Sequence, residues 1–499
     1  MKKKITFLPC ILLLLLLSFC NDYLIFPFKI KNPIVELNNN KIQASDYLKY
    51  IKYNQLATKL YVGTPIKETE IYLTMQQYDF ILGKNFCLNN SNSQYNPFSS
   101  NSYSKTQMTV TSPRFTNGSS STESFIFYNN LNLTNNKTIN EVQFIYGVAS
   151  SDFFDLIEPD SYCGYLGLQL CDSEYFEWDS LIYELKMKRE IQSKKWAIIF
   201  YGNNKKINNN DGYFILGIKE EDYQDLFNIN INNDNEYTTI YSLPYIYNKK
   251  NWEIKFDEIY YYINSQNYSF FTYIQGNFLI DSNYIICNND YFNSIKNNFF
   301  NKYINEGICY LDKNETIKRT KKTDIQMINV IICDKNKFKD INKFPTLYFK
   351  HRDLNKIFEF TYKELFQQMG NYMIFSIVLD EEEKYHWVFG RLFLKKYQFV
   401  FDHDQKTITY VKSNIINDNS ENNSDENNNN KDNNNFVIKI WLIVFLVAFL
   451  IIGFGVGLYF GQKIKNKKKR ANELDDDYEY IENNSKDIKT EGLYEDKDK

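Results

Sequence analysis

Two strand-to-turn segments hold the residues of this chain best placed to do chemistry. In the second, apolar Phe278-Leu279-Ile280 opens into Asp281-Ser282-Asn283. In the first, Tyr61-Val62-Gly63-Thr64-Pro65 leads through the alternating run Thr69-Glu70-Ile71-Tyr72-Leu73 to Thr74-Met75-Gln76. A carboxylate held at a strand end can act as a general acid or base, although Asp is also an ordinary turn residue there. Asp281 is such a carboxylate, and the matching turn has nothing ionisable. Sliding the register brings only Asp79, which sits beside the apolar run Phe80-Ile81-Leu82. A threonine hydroxyl can hydrogen-bond a water or a neighbouring carboxylate, but it cannot take the proton. His351, His386 and His403 are scattered strand or loop residues, and no Gly-x-Ser-x-Gly, His-Glu-x-x-His or Cys-x-x-Cys pattern supports serine, zinc or thiol chemistry. No metal and no cofactor is expected.

The elements that position these turns are strands. From about Tyr53 to Lys412 the chain alternates short apolar runs with Asn, Gly, Asp and Ser, the texture of an all-β body. Helical spacing is confined to residues 179–189 and 291–303. At 499 residues the chain suits two lobes with appendages, and its net charge of −3 offers no field for nucleic acid. Residues 1–20 have the basic start and short apolar run of a secretory signal. Residues 21–52 read as an N-terminal segment or propeptide, 53–230 and 231–412 as the two lobes, and 413–436 as an Asn-rich stalk. Residues 437–460 are long and apolar enough for a membrane helix, and the basic run from Lys463 to Arg470 places the 461–499 tail in the cytoplasm. The expected product is a single-pass type I membrane protein, displayed at the cell surface or in an endomembrane lumen. Gly453, Gly457 and Gly461 offer a face for homodimerisation within the span.

Export predicts oxidised cysteines. Cys163 with Cys171 and Cys309 with Cys333 are the local pairings expected, with Cys87 and Cys287 either free or joined. Asn89, Asn117, Asn132, Asn136, Asn267, Asn314 and Asn422 each begin an Asn-x-Ser/Thr glycosylation sequon.

The doubled layout resembles the pepsin-like aspartic proteases, membrane-anchored type, whose two lobes each supply one Asp-Thr/Ser-Gly loop. Other motifs extend the resemblance. Cys163-Gly164-Tyr165-Leu166-Gly167-Leu168 is similar to the family's Asp-Gly-Ile-Leu-Gly-Leu. Gly212-Tyr213-Phe214-Ile215-Leu216-Gly217-Ile218 and Trp252-Glu253-Ile254 resemble the stretches at the lobe junction. Trp387-Val388-Phe389-Gly390 and the segment from Phe393 through Asp402 resemble the family's closing motifs. The resemblance implies a bilobal, antiparallel β fold with a cleft, carrying one C-terminal transmembrane helix. It also implies two carboxylates sharing a proton, each followed by a hydroxyl that braces the opposite loop and a Gly. Asp281 and Ser282 fit that scheme, Asn283 replaces the Gly, and Thr74 stands for the missing first Asp. The family's flap, with its Tyr, should fall between about Met108 and Leu133, where Phe115 and a sequon at Asn117 stand instead. The expectation is a catalytically impaired homologue that binds extended polypeptide. The alternatives are an active acid endopeptidase using Asp281 with Thr74 and a water, and a surface protein for which the lobes are only a scaffold.

Overall fold

Unbroken apolar runs, rather than clean alternation, mark the centre of the molecule. Tyr213-Phe214-Ile215-Leu216 and Leu24-Ile25-Phe26 are buried on both faces, as inner strands must be. The computed structural model describes residues 23–31, 55–77, 79–84, 95–112, 115–149, 164–170, 180–201, 210–227, 237–242, 251–272, 274–319, 324–381 and 385–412. Those residues are mostly strand, so the all-β expectation stands.

The largest sheet has 13 described strands. From one edge, Tyr237–Tyr241 is followed by Thr407–Val411, Gln398–Asp402, Lys195–Phe200, Gly212–Leu216, Leu24–Lys31, Gln55–Val62 and Lys67–Thr74. Gly164–Gly167, Phe80–Lys84, Asn136–Ala149, Phe115–Tyr128 and Ser104–Ser112 complete it. A second, nine-stranded sheet gathers the strands around Asp281, and a four-stranded sheet pairs Glu258–Ile263 with Gln266–Phe270 and Leu347–His351. The boundary expected at residue 230 is crossed by this pairing. Tyr237–Tyr241, Gln398–Asp402 and Thr407–Val411 come from the second half and complete the first half's sheet.

Leu24–Lys31 lies inside the segment read as an N-terminal segment or propeptide, and it is an inner strand. It pairs with Gly212–Leu216 on one side and Gln55–Val62 on the other, and Leu24, Ile25, Phe26 and Phe28 are buried. The described body therefore includes this strand. Both expected helices form: Leu181–Met187, and Asn289–Ile295 continuing through a wider turn into Asn301–Asn305.

The membrane expectation is corrected. Among the described residues no helix is long and apolar enough to cross a membrane. The longest continuous helical run described, residues 289–305, extends about 25 Å at 1.5 Å per residue and carries many polar residues, against roughly 30 Å of hydrocarbon. The described residues thus give no support to the C-terminal transmembrane helix or to the single-pass type I placement. Residues 437–460, the signal, the stalk, the tail and the Gly453, Gly457 and Gly461 face lie outside the described residues.

Cys309 and Cys333 sit directly opposite each other in the Cys309–Arg319 and Asp324–Asp334 hairpin and form a disulfide. Cys287 is a buried free thiol, and Cys87, Cys163 and Cys171 lie outside the described residues. Asn132, Asn136 and Asn267 are exposed, as a glycan would require, and Asn117 and Asn314 fall within strands. Asn89 and Asn422 lie outside the described residues.

An aromatic seam joins the two halves. Trp196 stacks on Phe401 with centroids 4.3 Å apart, and Trp252 meets Phe401 edge-on at 5.2 Å. Phe278 reaches Phe401 at 5.6 Å. The indole N–H of Trp252 donates to the Leu168 carbonyl at 2.9 Å, so the seam carries a polar tie as well as apolar area. His403 packs edge-on against Trp252 at 5.0 Å. Burial, with the Lys194 charge nearby, pushes its imidazole down to about 3, so it stays neutral.

Two outcomes follow. Deleting residues 24–31 should abolish folding. Leu24, Ile25, Phe26 and Phe28 contribute roughly 1.5–3 kcal/mol each by burial, together comparable to the ~5–15 kcal/mol of a whole domain. A truncated chain that still melts cooperatively at the wild-type temperature would refute this. Glu253, next to the seam, is buried with its carboxylate bonded to the Gln275 amide, and burial raises it from an ordinary 4.5 to about 7. A folded pKa above the unfolded one stabilises below about 4.5 and loses that contribution as pH climbs through about 7. Thermal melts should therefore show Glu253→Gln more stable than wild type at pH 8, by on the order of 2 kcal/mol, with the gap closing at pH 4.

Candidate functional site

The two turns are built on the same ladder. In the first half, Lys67–Thr74 runs parallel to Gly164–Gly167, which runs antiparallel to Phe80–Lys84, which runs parallel to Asn136–Ala149. In the second, Gln275–Phe278 runs parallel to Trp387–Phe389, which runs antiparallel to Ile285–Cys287, which runs parallel to Ile377–Asp380. Leu166 pairs with Leu73 and Phe80, and Phe389 pairs with Phe278 and Ile285. Equating Leu166 with Phe389 thus equates Leu73 with Phe278 and Phe80 with Ile285, with equal numbers of residues between.

That register moves the expected correspondence by two positions. Gln76 falls where Asp281 stands, and Thr74 falls where Leu279 stands. The glycines agree independently. A Cβ on Gly167 would lie 2.5 Å from the Gln77 carbonyl oxygen and 2.7 Å from that of Asp79. On Gly390 it would lie 2.5 Å from the Ser282 oxygen and 2.1 Å from that of Tyr284. Each strand needs glycine because the turn's backbone passes against it.

Thr74 is nevertheless the residue that meets Asp281. Its hydroxyl donates to the Asp281 carboxyl group, and the Met75 backbone N–H donates to Asp281 Oδ2 at 2.9 Å. Thr74 Oγ1 in turn accepts from the Gln76 N–H at 3.1 Å, closing the turn on itself. Thr74 and Met75 are almost fully buried, whereas Asp281 keeps some solvent contact while protein packs around it. The two turns are thus clasped directly, one giving donors and the other the acceptor.

Electrostatics at Asp281 pull in both directions. Burial raises its carboxyl above the ordinary range, opposed by the Thr74 hydroxyl, the Met75 N–H and the charge of Arg391. Arg391 opens the helix Arg391–Lys396, is fully buried, and donates its backbone N–H to the Ser282 carbonyl at 2.7 Å. A buried guanidinium beside a lone carboxylate does what a second carboxylate cannot: it favours the charged form. Sequence reasoning missed Arg391 because Arg is usually exposed; its only signal was its place directly after Gly390.

The remaining expected residues have structural settings. Ser282 is buried, and its hydroxyl has no hydrogen-bond partner among the described residues, so the brace across the turns comes from Thr74 instead. Asn283 is buried, with its carbonyl accepting from Gln367 Nε2 at 3.1 Å. It is not among the described residues with left-handed φ, so this turn does not require glycine there. The expected flap region contains a hairpin of Ser104–Ser112 and Phe115–Tyr128. Phe115 starts its second strand and Asn117 lies within that strand; residues 113 and 114, at the turn, lie outside the described residues.

The chain matches no protein-family model and no curated protein. The site is therefore read from its own geometry. Thr74→Val removes one donor to Asp281 and should raise its carboxyl pKa further. Titration of the side-chain carboxyl signal by NMR checks this, with Thr74→Ser restoring the wild-type value.

Proposed function

We propose that the protein is a pepsin-like aspartic protease homologue that binds extended polypeptide and does not cleave it. The observation that carries this reading is the register of the two ladders, which sets Gln76, an amide, at the position in the first turn that matches Asp281 in the second. Peptide hydrolysis by two carboxylates needs one to accept a proton from water while the other, protonated, polarises the carbonyl. Here Asp281 has an amide at its matched position, a hydroxyl and an N–H as donors, and a guanidinium as neighbour. None of these groups can accept the proton from an attacking water at mildly acidic pH.

What remains suits binding. The carboxyl of Asp281, raised by burial, can accept from a peptide backbone when ionised and donate to one when protonated. Loss of one member of a two-group acid/base unit costs orders of magnitude in rate while leaving such hydrogen bonds available. The matched strands, the shared glycine contacts and the hairpin at Ser104–Ser112 support the family reading without depending on catalysis.

The test uses the full chain with a fluorescently labelled, unfolded polypeptide between pH 3 and 6. Wild type should bind without generating fragments, and Asp281→Ala should bind at least fivefold more weakly. Fragments produced by wild type and lost in Asp281→Ala would overturn the proposal in favour of an active endopeptidase.

A further inference from the structure

Away from the two turns, a cavity of about 650 Å³ opens between the edge strand Tyr237–Tyr241 and the turn after Leu347–His351. Its floor is apolar, formed by Ile254, Phe256 and Ile274, all buried. Two large aromatic side chains line it and are left in solvent: Tyr241 is 75% exposed and Phe271 64%. Exposed aromatics on one cavity are costly unless something covers them.

The polar groups of this cavity choose what that is. Asp257 and Asp353 line it. Asp257 accepts from the Arg352 backbone N–H at 2.6 Å and has that residue's guanidinium at 3.6 Å, whereas Asp353 has no ion pair among the described residues. Lys255 is the one cation in the lining. His351 is 6% exposed and faces the cavity, with its ring against Phe256 at 5.9 Å. Its Nδ1 accepts from the Leu354 N–H at 3.3 Å. Burial holds the imidazole below its usual pKa and hence neutral, so the hydrogen is on Nε2. No hydrogen-bond acceptor for that nitrogen occurs among the described residues. That nitrogen is not among the fully buried unpartnered polar atoms, so it stays open to the cavity, where a ligand carbonyl can accept from it.

We infer that this cavity receives a basic residue of a polypeptide, its guanidinium or ammonium group near Asp353 and Asp257 and between the Tyr241 and Phe271 rings. The adjoining main-chain carbonyl accepts from His351. Cation–π attraction and the carboxylates act on the same charge, and the apolar floor covers the side-chain stem. The assignment does not rest on the reading of Asp281.

Titration calorimetry of the full chain with acetyl-Gly-Arg-Gly-amide tests it, with the neutral isostere acetyl-Gly-citrulline-Gly-amide and free arginine as comparisons. The arginine peptide should bind at least tenfold more tightly than the citrulline peptide and at least threefold more tightly than arginine. Asp353→Asn and Tyr241→Ala, both at exposed positions, should each weaken it about fivefold or more, while Asp281→Ala should leave it unchanged. Equal binding of the arginine and citrulline peptides, no effect of Asp353→Asn, or no heat at millimolar peptide would overturn the inference. Equal affinity for free arginine would overturn the assignment to a polypeptide.

Discussion

The aromatic seam is the contact on which the site depends. The Trp252 indole binds the carbonyl of Leu168, and the Leu168 N–H binds the carbonyl of Thr74 at 2.8 Å. Phe278, three residues before Asp281, packs against the same Phe401 that Trp196 covers. The turn bearing Thr74 and the turn bearing Asp281 are therefore set by one cluster of rings. Aromatic pairs favour particular angles and spacings, so the seam fixes orientation as well as adding buried area. Without it, a 2.9 Å bond from Met75 to Asp281 would have no reason to persist across chain segments so far apart in sequence.

Charge at the centre is managed by asymmetry. Two carboxylates in such a place would repel and share a proton; one carboxylate with donors and a guanidinium does not. Elsewhere in the same core, Glu253 is pushed up and His403 down, and in both cases burial disfavours the charged form. Their effects on folding have opposite sign with pH: acid relieves the Glu253 penalty and imposes one at His403. The core is thus balanced for intermediate pH rather than tuned to strong acid.

Much of the fold was legible in the sequence. The short strands, both helical stretches and the Cys309 to Cys333 pairing follow from local pattern. The second turn was found because Phe278-Leu279-Ile280 ends in an acid followed by a small hydroxyl residue. The first turn holds no acid to anchor its register, and only the ladder to Gly164–Gly167 sets Gln76 rather than Thr74 at the position matching Asp281. Arg391 was invisible because burial of a guanidinium is a property of its surroundings. The spanning helix was inferred from apolar length alone, which periodicity and composition cannot separate from other fates of an apolar stretch. The strand Leu24–Lys31 was hidden by its closeness to the signal-like start.

That strand has a consequence for how the chain is made. Leu24–Lys31 stands far ahead of its partner Gly212–Leu216 in the chain and so is made well before it. Pairings so distant in sequence close slowly, and an unpaired apolar strand is prone to join the wrong chain in the interval. Synthesis must therefore carry an exposed Leu-Ile-Phe edge through most of the first half's translation.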